Sequence, residues 1–148
     1  MEMPGGDDYF MRKALQLAQE AADADEIPIG AVVVYKDRII GKGFNQTEKL
    51  NDVTAHAEML AITAAASFLN SKFLEECTLY VTVEPCLMCA GAIRWARLGK
   101  VVYGCSEPKS GFSRELKNLG HKQTEVLTGV LEEEARTLMQ EFFRKRRS

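Results

Sequence analysis

Short apolar runs typical of β-strands alternate along this chain with segments whose apolar residues recur at helical spacing. The runs IGAVVVY and RIIGKGF are separated by Lys36 and Asp37 alone, which predicts a β-hairpin. CTLYVTV, KVVYGC and TEVLTGV are predicted as three further strands. Helices are predicted over about 8–24, from about 54, from Pro85 to about 97 and from about 131, and a polar loop over 106–123. Such alternation implies an α/β fold, with helices on both faces of a sheet and a crevice at the carboxyl ends of the strands.

Size, charge and cysteine content limit the class of protein. The 148 residues have ordinary hydrophobic and charged fractions, so we expect one domain over 1–148. The formal net charge is −2, so any nucleic-acid contact must be a local patch. The first residues, MEMPGGDDYF, lack the pattern of a signal peptide, and no apolar run is long enough to cross a bilayer. We therefore expect a cytoplasmic protein without a membrane partner, whose four cysteines are not paired in disulfides.

Two short stretches concentrate residues with metal and acid–base chemistry. TAHAEML contains His56 and Glu58, and EPCLMCAGAI contains Cys86 and Cys89 behind Pro85. Each stretch is predicted to follow a strand and to begin a helix, where exposed N–H groups and the helix dipole favour a thiolate. Residues two apart on a regular helix point about 200° away from each other. His56 and Glu58 can therefore share a site only beyond the helix end, and we expect two helix N-termini to converge there.

The residue types predict a catalytic zinc site. Two thiolates and one imidazole, from Cys86, Cys89 and His56, select Zn²⁺ among common cytosolic metals and leave a fourth tetrahedral position open. An open position predicts catalysis by an activated water, with one zinc per chain. Glu58 is predicted to remain off the metal and to act as the catalytic acid and base. This combination suits hydrolytic deamination of an amidine-like carbon in a nucleobase.

Simpler interpretations exist for each motif alone. A Cys-x-x-Cys pair in a helix could be a redox dithiol or a structural zinc clip, and His56 with Glu58 could be a capping pair; the four residues together favour catalysis. Cys77 and Cys105 are predicted as core residues at strand ends. Trp95, with its neighbours Ile93 and Leu98, is predicted to lie in the core or in a dimer contact.

The motifs T-A-H-A-E and E-P-C-L-M-C-A-G-A-I, joined by TLYVTV, resemble those of the zinc nucleobase deaminases. Within them, the resemblance to bacterial tRNA-specific adenosine deaminases extends from EIPIGAVVV to the C-terminal FFRKRR. It implies a three-layer α/β/α cytidine-deaminase-like fold with a mixed, largely five-stranded sheet. It also implies a homodimer that converts adenosine to inosine at the wobble position of the tRNA anticodon arm.

The same resemblance implies further site residues. Asn45, otherwise typical of a turn, is expected to contact the base, and the loop Ile27, Pro28 and Ile29 to line its pocket. Expected RNA contacts are Glu107, Lys109, Arg144, Arg146 and Arg147, with Phe142 or Phe143 as a stacking surface. Glu107 stands where the best-known members have aspartate, and the segment after Gly111 is shorter than usual. An alternative explanation for the arginines at the C-terminus is that their positive charges complement the dipole of the last helix.

Two rival functions share parts of the same site. A small-molecule deaminase would keep the metal group, with guanine the best candidate substrate and deoxycytidylate the next. Nucleoside cytidine deaminases fit less well because they carry Cys-Ala-Glu where this chain has His56-Ala57-Glu58, and riboflavin-pathway deaminases have cysteines farther apart. An RNA-binding subunit with a structural zinc would have no use for Glu58.

Overall fold

The computed structural model describes residues 6–119 and 124–147. Helices and strands follow in the order α1 (Asp7–Asp23), β1 (Gly30–Tyr35), β2 (Arg38–Phe44), α2 (Ala57–Leu69), β3 (Cys77–Val83), α3 (Leu87–Ala96), β4 (Lys100–Cys105), β5 (Glu125–Thr128) and α4 (Glu132–Arg147). A short 3-10 helix, Phe112–Arg114, lies between β4 and β5. Every predicted strand and helix is present. In these described parts, no helix combines the length and apolarity needed to span a membrane.

The five strands form one mixed sheet in the order β2-β1-β3-β4-β5. Strand β1 runs antiparallel to both β2 and β3, whereas β3, β4 and β5 are parallel. At the hairpin, Lys36 and Asp37 both have positive φ, 49° and 61°, as a two-residue type I′ turn requires. The carboxyl ends of β2, β3 and β4 therefore lie at the same end of the sheet as the start of β1.

Helices cover both faces of this sheet. Along β1, Ala31 and Val33 pack into the core cluster formed with α2 and α3, whereas Val32 and Val34 pack into the cluster formed with α1. Helix α4 packs on the same face as α1, over β4, where Ala135 contacts a small cluster at the end of that strand. The α/β/α class with a mixed five-stranded sheet is thus confirmed.

Helix α2 lies unusually close to β2 because that strand presents two glycines. A Cβ atom added to Gly41 would lie 2.3 Å from the carbonyl oxygen of Ala61, and one added to Gly43 would lie 2.5 Å from that of Ala57. The alanines of α2 that face the sheet are fully buried. This close approach places the first turn of α2 beside the carboxyl end of β2.

Three details differ from the prediction. Helix α2 begins at Ala57 instead of near Thr54, and α3 begins at Leu87 instead of Pro85. Ile93, Cys77 and Cys105 are buried as expected. The side chain of Trp95 is 82% exposed, which excludes the core for this residue and leaves the dimer contact as a prediction. The predicted polar loop contains the 3-10 helix, and its residues 120–123 lie outside the described chain.

Candidate active site

The N-terminus of α2 carries His56 and Glu58 in different backbone conformations. His56 is the N-cap residue, with extended φ and ψ of −78° and 153°, and its carbonyl accepts the N–H of Leu60. Glu58 lies in the first helical turn. Because His56 stands outside the helix, the divergence expected of two residues within a helix does not apply to this pair. This is the arrangement that the sequence required for a shared site.

The N-terminus of α3 has the same construction. Cys86 is the N-cap residue, extended at φ −76° and ψ 176°, and its carbonyl accepts the N–H of Ala90. Cys89 lies in the first turn and is fully buried. Pro85 precedes the N-cap instead of starting the helix, because Cys86 itself remains extended. Both stretches therefore present one N-cap side chain and one first-turn side chain.

His56, Cys86 and Cys89 come together between the two helix ends. The Nδ1 atom of His56 lies 3.6 Å from Sγ of Cys86 and 3.5 Å from Sγ of Cys89, and all three donor atoms lie within 4.8 Å of one another. With Zn–S of about 2.3 Å and Zn–N of about 2.0–2.1 Å, a tetrahedral site separates sulfur from nitrogen by about 3.6 Å. The observed spacing and donor types fit a zinc ion.

Hydrogen bonds within this group move the pKa values of its members in opposite directions. The Cys89 thiol donates to Cys86, and this bond, with the nearby His56, lowers the pKa of Cys86 to about 4. The same bond and burial raise the pKa of Cys89. The bond to Cys86 raises the pKa of His56. Of the two thiols, that of Cys86 is therefore the more readily ionised.

Glu58 is a buried carboxylate with an unused acceptor. Its side chain is 3% exposed, and Oε1 has no hydrogen-bond partner among the described residues. An unpaired buried polar atom is uncommon and indicates a bound group at that position. Burial, the main cause, raises the pKa of Glu58 to about 7. A carboxyl group with a pKa near neutrality is suited to both accepting and donating a proton.

His56, Glu58 and Cys86 line a cavity of about 180 Å³ at the carboxyl end of the sheet. Residues preceding β1 and following β2, β3 and β4 contribute to its wall, as do the N-terminus of α2 and one face of α4. Of the residues predicted to bind substrate, Ile27, Ile29 and Asn45 line the cavity and Pro28 does not. Asn45 is buried, and its backbone N–H donates to the carbonyl of Ile29.

The sequence-based prediction missed several residues of this site. Met139 of α4 lines the cavity. So does Phe143, for which the sequence predicted only a possible stacking surface for RNA. Glu84 also lines the cavity and is buried. Glu26, 2% exposed, accepts the backbone N–H groups of Glu48 and Lys49, in the loop between Asn45 and His56. No feature of the neighbouring sequence predicts that the carboxylates of Glu84 and Glu26 are buried.

The predicted RNA-contact residues occupy different surroundings. Glu107 lines the cavity, and its carboxylate accepts the backbone N–H of Lys109. Lys109 is exposed beside a groove of about 490 Å³, called here the side groove, which shares four lining residues with the cavity: Val83, Glu107, Met139 and Phe143. Arg144 is exposed.

The remaining predicted contacts lie at the end of α4. Arg146 is paired with Asp25, at 3.0 Å from its carbonyl oxygen and 3.2 Å from Oδ1, and it stacks on Phe142. Arg147 ends the helix, and its side chain lies outside the described structure. Phe142 is buried, whereas Phe143 is partly exposed. Of the two phenylalanines, only Phe143 therefore offers a surface to the cavity.

Known proteins resemble this chain in both sequence and fold. Residues 6–147 match the family described as MafB19-like deaminase. Over 146 residues the chain is 44% identical to the tRNA-specific adenosine deaminase of Bacillus subtilis (strain 168), covering 95% of this chain and 91% of that protein. A solved structure from "Biochemical and Structural Studies of A-to-I Editing by tRNA:A34 Deaminases at the Wobble Position of Transfer RNA" matches with a TM-score of 0.82 at 41% identity, covering 88% of this chain and 98% of that one.

A guanine deaminase structure from Bacillus subtilis also matches, with a TM-score of 0.67 at 38% identity. That likeness covers 78% of this chain and 71% of the guanine deaminase chain. It is therefore less extensive than the two likenesses to tRNA deaminases given above.

Proposed function

This chain belongs to the tRNA-specific adenosine deaminases, and we propose that it converts adenosine at the wobble position of a tRNA anticodon to inosine. The family predicted from the motifs is confirmed. The reaction consumes one water molecule and replaces the amino group at C6 of adenine by oxygen, with release of ammonia. One observation carries the assignment to this chain: the unpaired carboxylate of Glu58 lies in the cavity, beside the group formed by His56, Cys86 and Cys89.

The metal in this proposal is a single zinc ion. His56 through Nδ1, and Cys86 and Cys89 through Sγ, would hold it, because their donor atoms have the types and the spacing of a tetrahedral site. Bound there, zinc would supply an open coordination position and a Lewis acid that lowers the pKa of water to about 7. The N-cap positions of His56 and Cys86 let both side chains point beyond their helices toward the same ion.

Glu58 moves the protons of the reaction. Its free acceptor takes one proton from the attacking water and passes it to N1 of adenine, and it then takes the remaining proton from the new hydroxyl on C6 and gives it to the amino group, which leaves as ammonia. Water exclusion around the carboxylate holds its pKa near 7, so both transfers are available near neutral pH. Asn45 and Ile29 lie on the cavity wall, where they orient the base.

The cavity favours a base that has been turned out of a stack. A space of about 180 Å³ admits a nucleobase but not a folded RNA, so the anticodon loop must present its adenine alone. We place the adjoining nucleotides along the side groove, beside Lys109 and Glu107. Arg144 and Arg147 remain proposed phosphate contacts. Arg146 has a partner in Asp25, so it contributes to RNA binding only if that ion pair opens.

The assembly in this proposal is a homodimer in the cytoplasm. Helices α2 and α3 expose Phe68, Leu87, Met88 and Trp95. Trp95 also lines a groove of about 730 Å³, together with Ile62, Ala66 and Phe73 among others. Large apolar side chains grouped on one surface are typical of a protein interface. A second copy of this chain covering that face is the occupant we propose.

A direct assay separates this function from its rivals. The zinc-loaded protein is incubated with an anticodon stem-loop bearing a wobble adenosine, and separately with free adenosine and with guanine. Inosine in the stem-loop and an equal amount of ammonia are expected. Ammonia from guanine alone would instead identify a small-molecule deaminase. A protein that binds zinc and the stem-loop but releases no ammonia from any substrate would be an RNA-binding subunit.

A further inference from the structure

Glu84 is a buried carboxylate whose two oxygens are both engaged by one loop. It follows β3 and is 4% exposed. Its Oε1 accepts the backbone N–H of Glu107 at 3.0 Å, and its Oε2 accepts that of Ser113 at 2.9 Å. Six positions separate these two donors, so a single side chain fixes both ends of the segment 107–113, called here the 107–113 loop.

Further contacts bring this loop against the segment that carries the zinc ligands. The N–H of Phe112 donates to the carbonyl of Pro85 at 2.9 Å, and Gly111 forms an antiparallel bridge with Cys86. A Cβ atom added to Gly111 would lie 2.4–2.5 Å from the carboxylate of Glu84. Only glycine therefore permits the observed approach of the loop to this carboxylate.

The 107–113 loop forms one side of the cavity mouth. Glu107 and Ser110 line the cavity, and Glu107 and Lys109 line the side groove. The main chain at Glu107 is held by Glu84, and the carboxylate of Glu107 in turn accepts the N–H of Lys109. The position of each of these side chains thus depends on the buried carboxylate behind them.

We propose that Glu84 is a positioning residue that sets the shape of the RNA-facing mouth by holding the 107–113 loop. It acts through the loop and takes no part in the chemistry. The reference to RNA rests on the proposed function, whereas the hold on the loop rests on the hydrogen bonds alone. Glu84→Gln is the informative change, because an amide keeps one acceptor and turns an NH₂ group toward the other backbone N–H.

The kinetic test compares Glu84→Gln and Gly111→Ala with the wild type on the anticodon stem-loop. Gly111→Ala disturbs the same contact from the loop side and keeps the carboxylate, so it decides the question should Glu84→Gln fail to fold. A buried donor left without an acceptor is expected to raise KM about tenfold in either variant. We expect kcat to change by less than about twofold and zinc content to stay the same, because neither substitution replaces a proposed zinc ligand or Glu58. Glu115→Gln, an exposed change beside the loop, is the matched control and should behave as wild type.

A second readout does not depend on catalysis. In Glu84→Gln the backbone amides of Glu107 and Ser113 should exchange with solvent faster, while the amide of Ala90, bonded within α3, should not change. If the wild type fails to deaminate the stem-loop, the proposed function falls and amide exchange still tests the hold on the loop. Unchanged KM, a fall confined to kcat, or unchanged exchange at both amides would overturn the inference.

Discussion

The Nδ1 atom of His56 lies 3.5 Å from Sγ of Cys89, although the two residues lie at the N-termini of different helices and are 33 positions apart. Neither helix holds a complete ligand set. The N-cap of α2 supplies the imidazole, and the N-cap and first turn of α3 supply the sulfurs. A metal ion there would therefore link two helices that otherwise make few contacts with each other.

Removing one sulfur should release the metal. We expect one zinc per wild-type chain, and Cys89→Ala should lose most of it. The variant should also unfold at a lower temperature, because the site exists only in the folded chain and its metal-binding free energy therefore stabilises the fold. Metal content by mass spectrometry and thermal unfolding measure the two effects. Cys105→Ala, also buried but outside the ligand group, should keep its zinc. Full occupancy in Cys89→Ala would mean that the ligands are wrongly assigned.

Replacing the carboxylate of Glu58 should separate catalysis from folding. Glu58→Gln preserves shape but cannot carry a proton, so turnover of the stem-loop should fall by at least about 100-fold. Zinc content and unfolding temperature should match the wild type. Glu76→Gln, an exposed change of the same chemistry, is the control. Turnover near the wild-type rate in Glu58→Gln would exclude the proposed proton transfer.

The close packing of α2 on β2 should be sensitive to a single methyl group. Gly43→Ala would bring a Cβ atom to 2.5 Å from the carbonyl of Ala57, next to Glu58. We expect a loss of about 1–3 kcal/mol in unfolding free energy and reduced turnover, because the helix must move away from the strand. Denaturant unfolding and the stem-loop assay report the two effects. Lys42→Ala, an exposed change on the same strand, should stay within about 0.5 kcal/mol of wild type. An equally stable and active Gly43→Ala would contradict this account.

The arginines at the end of α4 should differ in their effect on RNA binding. Replacing Arg144 and Arg147 by glutamine should weaken stem-loop binding and flatten its salt dependence by about 0.7–0.9 log units per lost phosphate contact. Melting temperature and zinc content should hardly change. Arg146→Gln should weaken stem-loop binding less, because the guanidinium of Arg146 is already paired with Asp25. The measurement is affinity at several salt concentrations, and superimposable lines for wild type and the double variant would remove these residues from the RNA site.

The exposed face of α3 should control assembly. Trp95 is 82% exposed, and Trp95→Asp should place a charge in the proposed interface and convert the dimer to a monomer. Sedimentation equilibrium gives the mass directly. Leu127→Asp introduces the same charge on β5 and should leave the mass unchanged, because Leu127 is exposed and pairs with Val102, which lies on the sheet face that packs against α1 and not on the face of α3. A wild-type protein that is monomeric at micromolar concentration would exclude the interface.

The sequence by itself determined the strands, the helices and the four residues of the proposed catalytic group. Strand and helix periodicity is a local property of the chain, and so is the two-residue hairpin turn at Lys36 and Asp37. The pair His56 and Glu58 required a helix boundary between them, because within one helix they would diverge. The requirement that both side chains reach one site therefore restricted where the helix could begin, without any knowledge of tertiary contacts. In the structure the helix begins one residue after His56.

Only the tertiary structure decided which charged and aromatic side chains leave the solvent. Glu84 and Glu26 are buried because their carboxylates accept hydrogen bonds from backbone N–H groups that are distant in the chain. The residues next to a glutamate in the sequence do not show that it has such distant donors. Phe143 shares the apolar stripe of α4 with Phe142, yet it faces the cavity while its neighbour is buried. Which of these side chains are buried depends on which segments pack together at the end of the sheet. That packing is set by the whole fold and cannot be read from any one segment of the sequence.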